Sequence, residues 1–436
     1  MTGYGDTIFA VASGAGRAAI AVLRISGPAS GTVLDQICRR RPRPREAALR
    51  TLRDCSDSVM DKSLVLWLPG PRSFTGEDSA ELHLHGGRAV LRDVAAALVE
   101  MGLRPAEPGE FARRAFLNGR LDLVEAEAIA DLVDAETTAQ RRQALQQMEG
   151  GLGRLLSDWA TRLTYLLAQQ EALIDFPDED LPPEVEAALE QAMDQLLGEL
   201  RAQLDDARRG EKLRDGLIFA IVGAPNAGKS TLINTLAERD IAIVSPLPGT
   251  TRDVLETRID LGGVPVTLLD TAGLREASND IEAEGVRRAR DRAATADAVI
   301  LLETATEPAP ADLARHALTI RVTAKADLLP PETTATPDML RISARTGEGM
   351  KALLAHLAAQ AAALTYAAGP PPLTRARHRA ALQEATERLA AARIAIYPEL
   401  RAEDLRLALR AIGRITGRVG VEDILDSVFH QFCIGK

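Results

Sequence analysis

Residues 217–222 form a short apolar run that leads into Gly223-Ala224-Pro225-Asn226-Ala227-Gly228-Lys229-Ser230, and a helical stretch follows. A strand, a GxxxxGKS loop and a helix in that order make a phosphate cradle. The glycines let backbone N–H groups close around an anion, and the helix N-terminus adds positive potential. Lys229 is expected to reach the β and γ phosphates of a nucleotide, and the Ser230 hydroxyl to ligate Mg²⁺. The expected nucleotide contacts of this element are Gly223, Asn226, Ala227, Gly228, Lys229, Ser230 and Thr231. Few other folds accommodate such a segment, so the middle of the chain is expected to be a P-loop α/β domain.

The elements downstream come in the order a GTPase requires. Residues 264–269 are an apolar strand ending in Asp270-Thr271-Ala272-Gly273. Asp270 can hold Mg²⁺ through water, and the Gly273 N–H can sense the γ phosphate. Between the two motifs lies the Gly/Pro loop SPLPGTTRD, residues 245–253, where Thr251 is the hydroxyl expected to close onto the metal. Guanine recognition usually rests on NKxD, whose Asp accepts hydrogen bonds from the base N1 and exocyclic amine. Here the stretch reads Thr323-Ala324-Lys325-Ala326-Asp327, with Ala324 in place of the Asn. Lys325 and Asp327 remain, which predicts weaker but still guanine-selective binding, completed by Ser343-Ala344-Arg345. Leu274 follows Gly273 where many switch GTPases carry a water-orienting Gln. An apolar side chain cannot position water, so another group or a cation must act. Glu282 is the candidate general base or water-orienting carboxylate. Asn226 offers an oxygen near the β phosphate that can ligate a monovalent cation, doing the work of an arginine finger, an effect of roughly 10³ to 10⁵ in rate.

Around this domain the texture of the chain changes. A length of 436 residues leaves room for about three domains. Up to about residue 105, short apolar runs alternate with Gly and Pro, predicting strands over 7–12, 19–25, 64–68 and 81–85 and a helix over 88–100. From residue 121 the sequence turns to long Ala, Leu, Glu, Gln and Arg stretches, broken at 150–153 and 176–183, which predicts antiparallel helices to about 214. Helical texture returns over 374–432, after a proline-rich linker at 367–372. A helical domain interrupted by an α/β domain is the economical arrangement; four consecutive independent domains is the rival. The expected boundaries are an N-terminal α+β domain over 1–119, helical segments over 120–214 and 361–436, and the GTPase domain over 215–360.

Cys38, Cys55 and Cys433 cannot form a disulfide framework and show no CxxC spacing. No apolar run approaches 18 residues, and the first ten carry Asp6 but no basic region. A cytoplasmic protein without a membrane partner is expected. The formal net charge is −10 and aromatic residues are 3%, which argues against a diffuse polyanion binder or a base-stacking platform. That net charge conceals segregation. Residues 171–206 hold 12 acidic residues and one basic, whereas 39–53 hold seven arginines against Glu46 and 375–418 hold ten against five carboxylates. Acidity overall therefore does not exclude an RNA partner, and the two arginine-rich stretches are where phosphates would be met.

The chain ends Cys433-Ile434-Gly435-Lys436, which does not satisfy a prenylation box. Residues 421–432 read as an amphipathic helix that presents this tail. Together with GAPNAGKS, SPLPGTTRD, DTAGLREAS, LPGPRSFTGED, ELHLHGG and RPAEPGEFARRAFLNGRLDL, the CIGK ending resembles the MnmE (TrmE) tRNA-modification GTPase family over essentially the whole chain.

The resemblance implies a multidomain α/β fold: an N-terminal α+β folate-binding and dimerisation domain, a central helical domain built from two stretches, and an inserted Ras-like P-loop GTPase domain. It implies K⁺-dependent GTP hydrolysis by a homodimer that joins an FAD-dependent MnmG partner in a heterotetramer or larger complex. That complex would add an aminomethyl or carboxymethylaminomethyl group at C5 of the wobble uridine of certain tRNAs. The carbon would come from a tetrahydrofolate derivative, 5-formyl or methylene. By match of motif, Asn226 would ligate K⁺ through its side chain, with loop oxygens from Ser245, Leu247 and Thr250, and Glu282 would be the hydrolytic carboxylate. Folate would be met by Arg24, Glu81, Arg120 and Lys436. Arg120 stands where Lys is often found, and either cation meets a carboxylate. Cys433 would sit near the folate and is a candidate catalytic thiol. The competing reading is a ribosome- or membrane-associated assembly GTPase that modifies nothing; such a protein would be expected to append a basic RNA-binding module.

Overall fold

The computed structural model describes residues 5–14, 16–175, 183–206, 208–223, 226–237, 241, 243, 256–270, 295–304, 318–328, 340–366, 369–419, 425, 428–430, 432, 433 and 435. They fall into two compact units, one of residues 1–130, 147–193 and 387–436, the other of 131–146 and 194–386.

The first unit opens with β1 (Ile8–Val11), β2 (Ile20–Ser26), α1 (Ser30–Ile37), β3 (Ala48–Arg53), β4 (Val59–Leu68), β5 (Ser79–His85), α2 (Arg88–Glu100), β6 (Arg104–Pro105) and α3 (Glu110–Leu117). The strands form one sheet in the order β3-β4-β5-β2-β1-β6, antiparallel except for the β1–β6 pair. Period-two alternation sorts its faces: Leu23, Ile25, Leu82 and Leu84 are buried with Leu34 and Leu98, from α1 and α2. Arg24 and Glu81 lie on the other face, directly opposite each other in register.

Sequence pattern predicts no element over residues 30–53, yet α1 and β3 form there. Residues 30–37 are too short for a helical period to stand out and Arg50 and Arg53 interrupt the strand, so a few buried positions, Leu34, Ile37 and Leu52, anchor both elements. β4 also starts five residues earlier than its apolar run. Asp61 sits on its buried face, accepting hydrogen bonds from the His85 backbone N–H at 2.9 Å and ring Nδ1 at 2.7 Å. A satisfied carboxylate at an inward position breaks the alternation that would otherwise mark the strand.

Helices α4 (Leu123–Asp134), α5 (Thr138–Met148), α6 (Gly151–Asp175) and α7 (Pro183–Leu204) follow. Gly150, at φ +76°, supplies the left-handed turn that separates α5 from α6. Leu152, Leu156, Trp159, Leu163 and Leu166 form the buried stripe of α6, and that helix packs along a C-terminal helix of the same unit, Pro398–Thr416. Beyond it Leu425, Val428, Phe429 and Phe432, spaced three and four apart, are buried against Ala112, Leu123 and Ala126. The predicted helix at 421–432 is described only in part, with Leu425, Val428 and Phe429 helical. Two glycines mark where this tail closes on the N-terminal elements. A Cβ on Gly109 would collide with the Phe429 carbonyl, and one on Gly435 would lie 2.5 Å from the Val11 carbonyl oxygen.

The second unit carries α8 (Arg209–Asp215), β7 (Leu217–Gly223), α9 (Lys229–Ala237), β8 (Glu256–Leu261), β9 (Val264–Asp270), β10 (Ala298–Glu303), β11 (Thr319–Thr323), β12 (Leu340–Arg341) and α10 (Met350–Thr365). Its sheet runs β12-β11-β10-β7-β9-β8, parallel except at β8–β9. β7 and β10 are near-continuous apolar runs, as strands covered on both faces require. Two further helices follow in the chain, α11 (Ala376–Ile394) and α12 (Pro398–Thr416), the second of them in the first unit. Among the described residues no helix is long and apolar enough to cross a membrane.

Candidate functional site

The P-loop sits where β7 ends and α9 begins. Asn226 and Gly228 hold left-handed backbone, φ +63° and +98°, just ahead of the first turn of α9. Gly223 must lack a side chain, because the Leu302 carbonyl of β10 occupies the place of a Cβ. Lys229, largely buried, donates from Nζ to the Gly223 carbonyl at 2.9 Å. Because β9 is the parallel neighbour of β7, its terminal Asp270 arrives beside the first turn of α9, where Ser230 Oγ donates to Asp270 Oδ2 at 2.7 Å.

A pocket of about 240 Å³ continues from this loop, lined by Ala227, Gly228 and Thr231 on one side and by Lys325, Asp327, Ser343, Ala344 and Arg345 on the other. Residues remote in sequence meet here because β11 and β12 end side by side. Asp327 accepts hydrogen bonds from Ser343 Oγ at 2.6 Å and Arg345 Nη2 at 2.5 Å. The Ser343 hydroxyl first, and then the Arg345 charge, hold the Asp327 carboxyl below its ordinary range, so it is an ionised acceptor at neutral pH. An ionised acceptor in a narrow slot suits a base edge that presents two N–H donors. Ala324 is buried on the wall and puts a methyl group where an amide would stand. Asp327→Asn replaces one acceptor oxygen by a donor. It is expected to weaken guanine-nucleotide binding at least about tenfold and to improve relative binding of xanthine nucleotides, whose C2 carbonyl accepts instead; titration calorimetry with both nucleotides checks this.

In the first unit Arg24 donates to Glu81 from Nη2 at 3.0 Å and from Nε at 3.2 Å. The Arg24 guanidinium lies 5.3 Å from the Phe74 ring centre and 5.8 Å from that of Phe111. The segment that carries Phe74 also reaches Arg120: Asn118 Nδ2 donates to the Thr75 carbonyl at 2.8 Å, and the Arg120 stem packs at Gly76. Arg120 lines a cleft of about 540 Å³ with Asp122, Glu125 and Arg418. Burial pushes the Asp122 carboxyl up from its ordinary range. Cys433 is exposed, and its carbonyl accepts from the Gly109 N–H at 3.4 Å, two residues before Phe111. Ser245, Leu247, Thr250, Thr251, Gly273, Glu282 and Lys436 lie outside the described residues.

Sequence pattern gave no prominence to Arg114, which is fully buried and bonded to Asp6, Glu77 and Glu110. The available signal was the four-residue spacing of Glu110 and Arg114 on one helix. Among the described residues no cluster of three or more His, Cys, Asp or Glu side chains could hold a metal.

Two family models match the chain: the GTP-binding protein TrmE N-terminus over residues 7–120 and the MnmE helical domain over residues 123–433. A tRNA modification GTPase MnmE of Gluconacetobacter diazotrophicus is 60% identical over 436 residues, covering 98% of this chain and 98% of the relative. The protein of the same name from Granulibacter bethesdensis is 57% identical over 441 residues, covering 99% of each. The chain belongs to the MnmE family of tRNA modification GTPases. It is a GTP-binding GTPase with the multidomain α/β fold anticipated above, in which a TrmE-type N-terminal domain and a helical domain accompany a P-loop domain.

Proposed function

We propose that the chain is the K⁺-dependent, GTP-hydrolysing subunit of a complex that adds an aminomethyl or carboxymethylaminomethyl group at C5 of the wobble uridine of certain tRNAs. The observation that carries this reading is the pocket in which the P-loop residues meet Asp327 and Ser343. Ser230 and Asp270 are hard oxygen donors in mutual contact, a donor set suited to Mg²⁺. With Thr251 they would hold that ion, which neutralises phosphate charge when bound. Asn226 would hold K⁺ with Ser245, Leu247 and Thr250, in the role an arginine finger plays elsewhere. Gly273 would meet the γ phosphate and Glu282 would take or orient the proton of the attacking water.

The tetrahydrofolate derivative would be held by Arg24, Glu81, Arg120 and Lys436. A guanidinium and a carboxylate presented together beside two aromatic rings suit a flat heterocycle with donor and acceptor edges. The bound folate would supply the one-carbon unit, and Cys433 is proposed as a thiol acting at that end. Residues 1–119 would then be the folate and dimerisation domain, 215–360 the GTPase domain, and 120–214 with 361–436 the helical domain. A cytoplasmic homodimer working with an FAD-dependent MnmG partner completes the proposal.

The test is modification of a tRNA transcript in vitro with that partner, GTP, K⁺ and labelled folate. Label is expected at the wobble uridine; a complete mixture that leaves the base unmodified sinks the reading. In the same assay K⁺ is expected to accelerate GTP hydrolysis over Na⁺ at equal ionic strength by at least about tenfold. Equal rates in the two salts would remove the role given to Asn226.

A further inference from the structure

The two arginine-rich stretches are spent differently. In residues 375–418 the guanidinium groups meet the acidic stretch 171–206: Arg379 pairs with Asp206 at 2.5 Å, Arg393 with Glu190 at 3.2 Å, Arg401 with Glu186 at 3.5 Å and Arg406 with Glu171 at 2.6 Å. Opposite charges in the helices thus cancel within each unit, and much of that basic charge is unavailable to a partner.

Residues 39–53 are not neutralised in this way. Arg45 Nη2 donates to the Arg72 carbonyl at 2.5 Å, Arg50 Nε to the Arg40 carbonyl at 3.1 Å, and Arg53 Nη1 to the Asp57 carbonyl at 2.7 Å. A carbonyl orients a guanidinium without cancelling its charge. Arg39 and Arg53 pair with the Asp57 carboxylate, and Arg41 with Asp35, so these three have carboxylate partners. Arg40, Arg43 and Arg72 are exposed, and among the described residues no carboxylate pairs with them or with Arg45 and Arg50. The bonds from Arg50 to the Arg40 carbonyl and from Arg45 to the Arg72 carbonyl bring these segments together beside β3, the outermost strand of its sheet. Charge on an edge strand also blocks sheet-to-sheet aggregation, which accounts for Arg50 and Arg53. It does not account for Arg40, Arg43 and Arg72, which lie off the strand.

We infer that this edge, centred on Arg40, Arg43, Arg45, Arg50 and Arg72, docks the phosphate backbone of RNA. The inference rests on the functional reading above, which makes a tRNA the macromolecular substrate. Guanidinium groups fixed by carbonyls at Arg45 and Arg50, with exposed ones at Arg40, Arg43 and Arg72 beside them, match phosphate oxygens in charge and shape. Residues 39–53 contain no aromatic side chain on which a base could stack, so the contact positions the RNA and reads little of its sequence.

The test is fluorescence anisotropy of a labelled tRNA transcript with the full chain across a KCl series, comparing the parent with Arg40→Ala/Arg43→Ala and Arg40→Lys/Arg43→Lys. The alanine variant is expected to bind roughly 10- to 100-fold more weakly at about 0.1 M salt, with a slope of log affinity against log salt shallower by about 2, as loss of two phosphate contacts dictates. The lysine variant is expected to keep the parent slope, and GTP hydrolysis without tRNA to be unchanged in both. Equal affinity and slope for parent and alanine variant would overturn the surface alone. So would an unchanged tRNA affinity combined with lost self-association in sedimentation, which would assign the arginines to an acidic protein surface. A parent chain that binds no tRNA at any salt would overturn the functional reading and the surface with it.

Discussion

Lys229→Met is expected to lower GTP turnover by about 10² to 10³-fold, the loss typical of removing one preorganised charge from a transition state. The geometry separates this effect from simple unfolding. Lys229 is largely buried at the start of α9, and its ammonium donates to the Gly223 carbonyl at the end of β7. Methionine retains the apolar stem and the helix propensity, so the α9 packing should persist. The charge alone disappears. Phosphate release at saturating nucleotide should therefore fall while thermal unfolding shifts by no more than a few degrees. A variant that keeps a third of parental turnover would refute the assignment of Lys229 to the phosphates. Ser230→Ala is a companion case: it removes the hydroxyl that meets Asp270 and should raise the Mg²⁺ concentration needed for turnover while leaving the fold intact.

The nucleotide pocket was legible because its parts are local. GAPNAGKS, DTAG, the Lys325–Asp327 pair and Ser343 each announce themselves in a few consecutive residues, and a parallel sheet brings strand ends together in a way the motif order already implies. The Arg24–Glu81 pair is of another kind. It depends on the register between β2 and β5, 57 residues apart, and nothing local in either strand encodes it; the resemblance named both residues, and the register supplies the reason they touch. Elements α1 and β3 escaped because both are short and Arg50 and Arg53 interrupt the apolar pattern of the strand. The cancellation of the acidic helical stretch by the arginines of 375–418 was invisible for a similar reason, since composition counts charges without their partners.

Arg114→Met is expected to destabilise the first unit by about 3–5 kcal/mol, the usual cost of removing one partner from a buried ion pair. Arg114 is fully buried, with Nη2 2.8 Å from Asp6 Oδ1 and 2.9 Å from Glu110 Oε1, and Nη1 3.3 Å from Glu77 Oε2. Arg104 shares two of these carboxylates, at 2.7 Å from Asp6 and 2.6 Å from Glu110. Methionine would leave three carboxylates facing one arginine. Burial opposes the charge on Glu110, but the bonds from Arg104, the Glu107 N–H and Arg114 outweigh it and hold the carboxyl below its ordinary value; Asp6 is held low in the same way by Arg104 and Arg114. A depressed folded-state pKa contributes stability that is complete above the unfolded-state value and is lost as pH falls through the folded one. The parent should therefore lose stability on acidification below about pH 4.5 as these carboxylates protonate. In the variant the same carboxylates repel one another, so protonation relieves rather than removes an interaction, and the gap between the two proteins should narrow as pH falls from about 7 to about 4. Both tryptophans, Trp67 and Trp159, lie in the first unit, so denaturant unfolding followed by tryptophan fluorescence reads that unit selectively. A gap below about 1 kcal/mol at neutral pH, or one that widens on acidification, would show that Arg114 balances no buried charge.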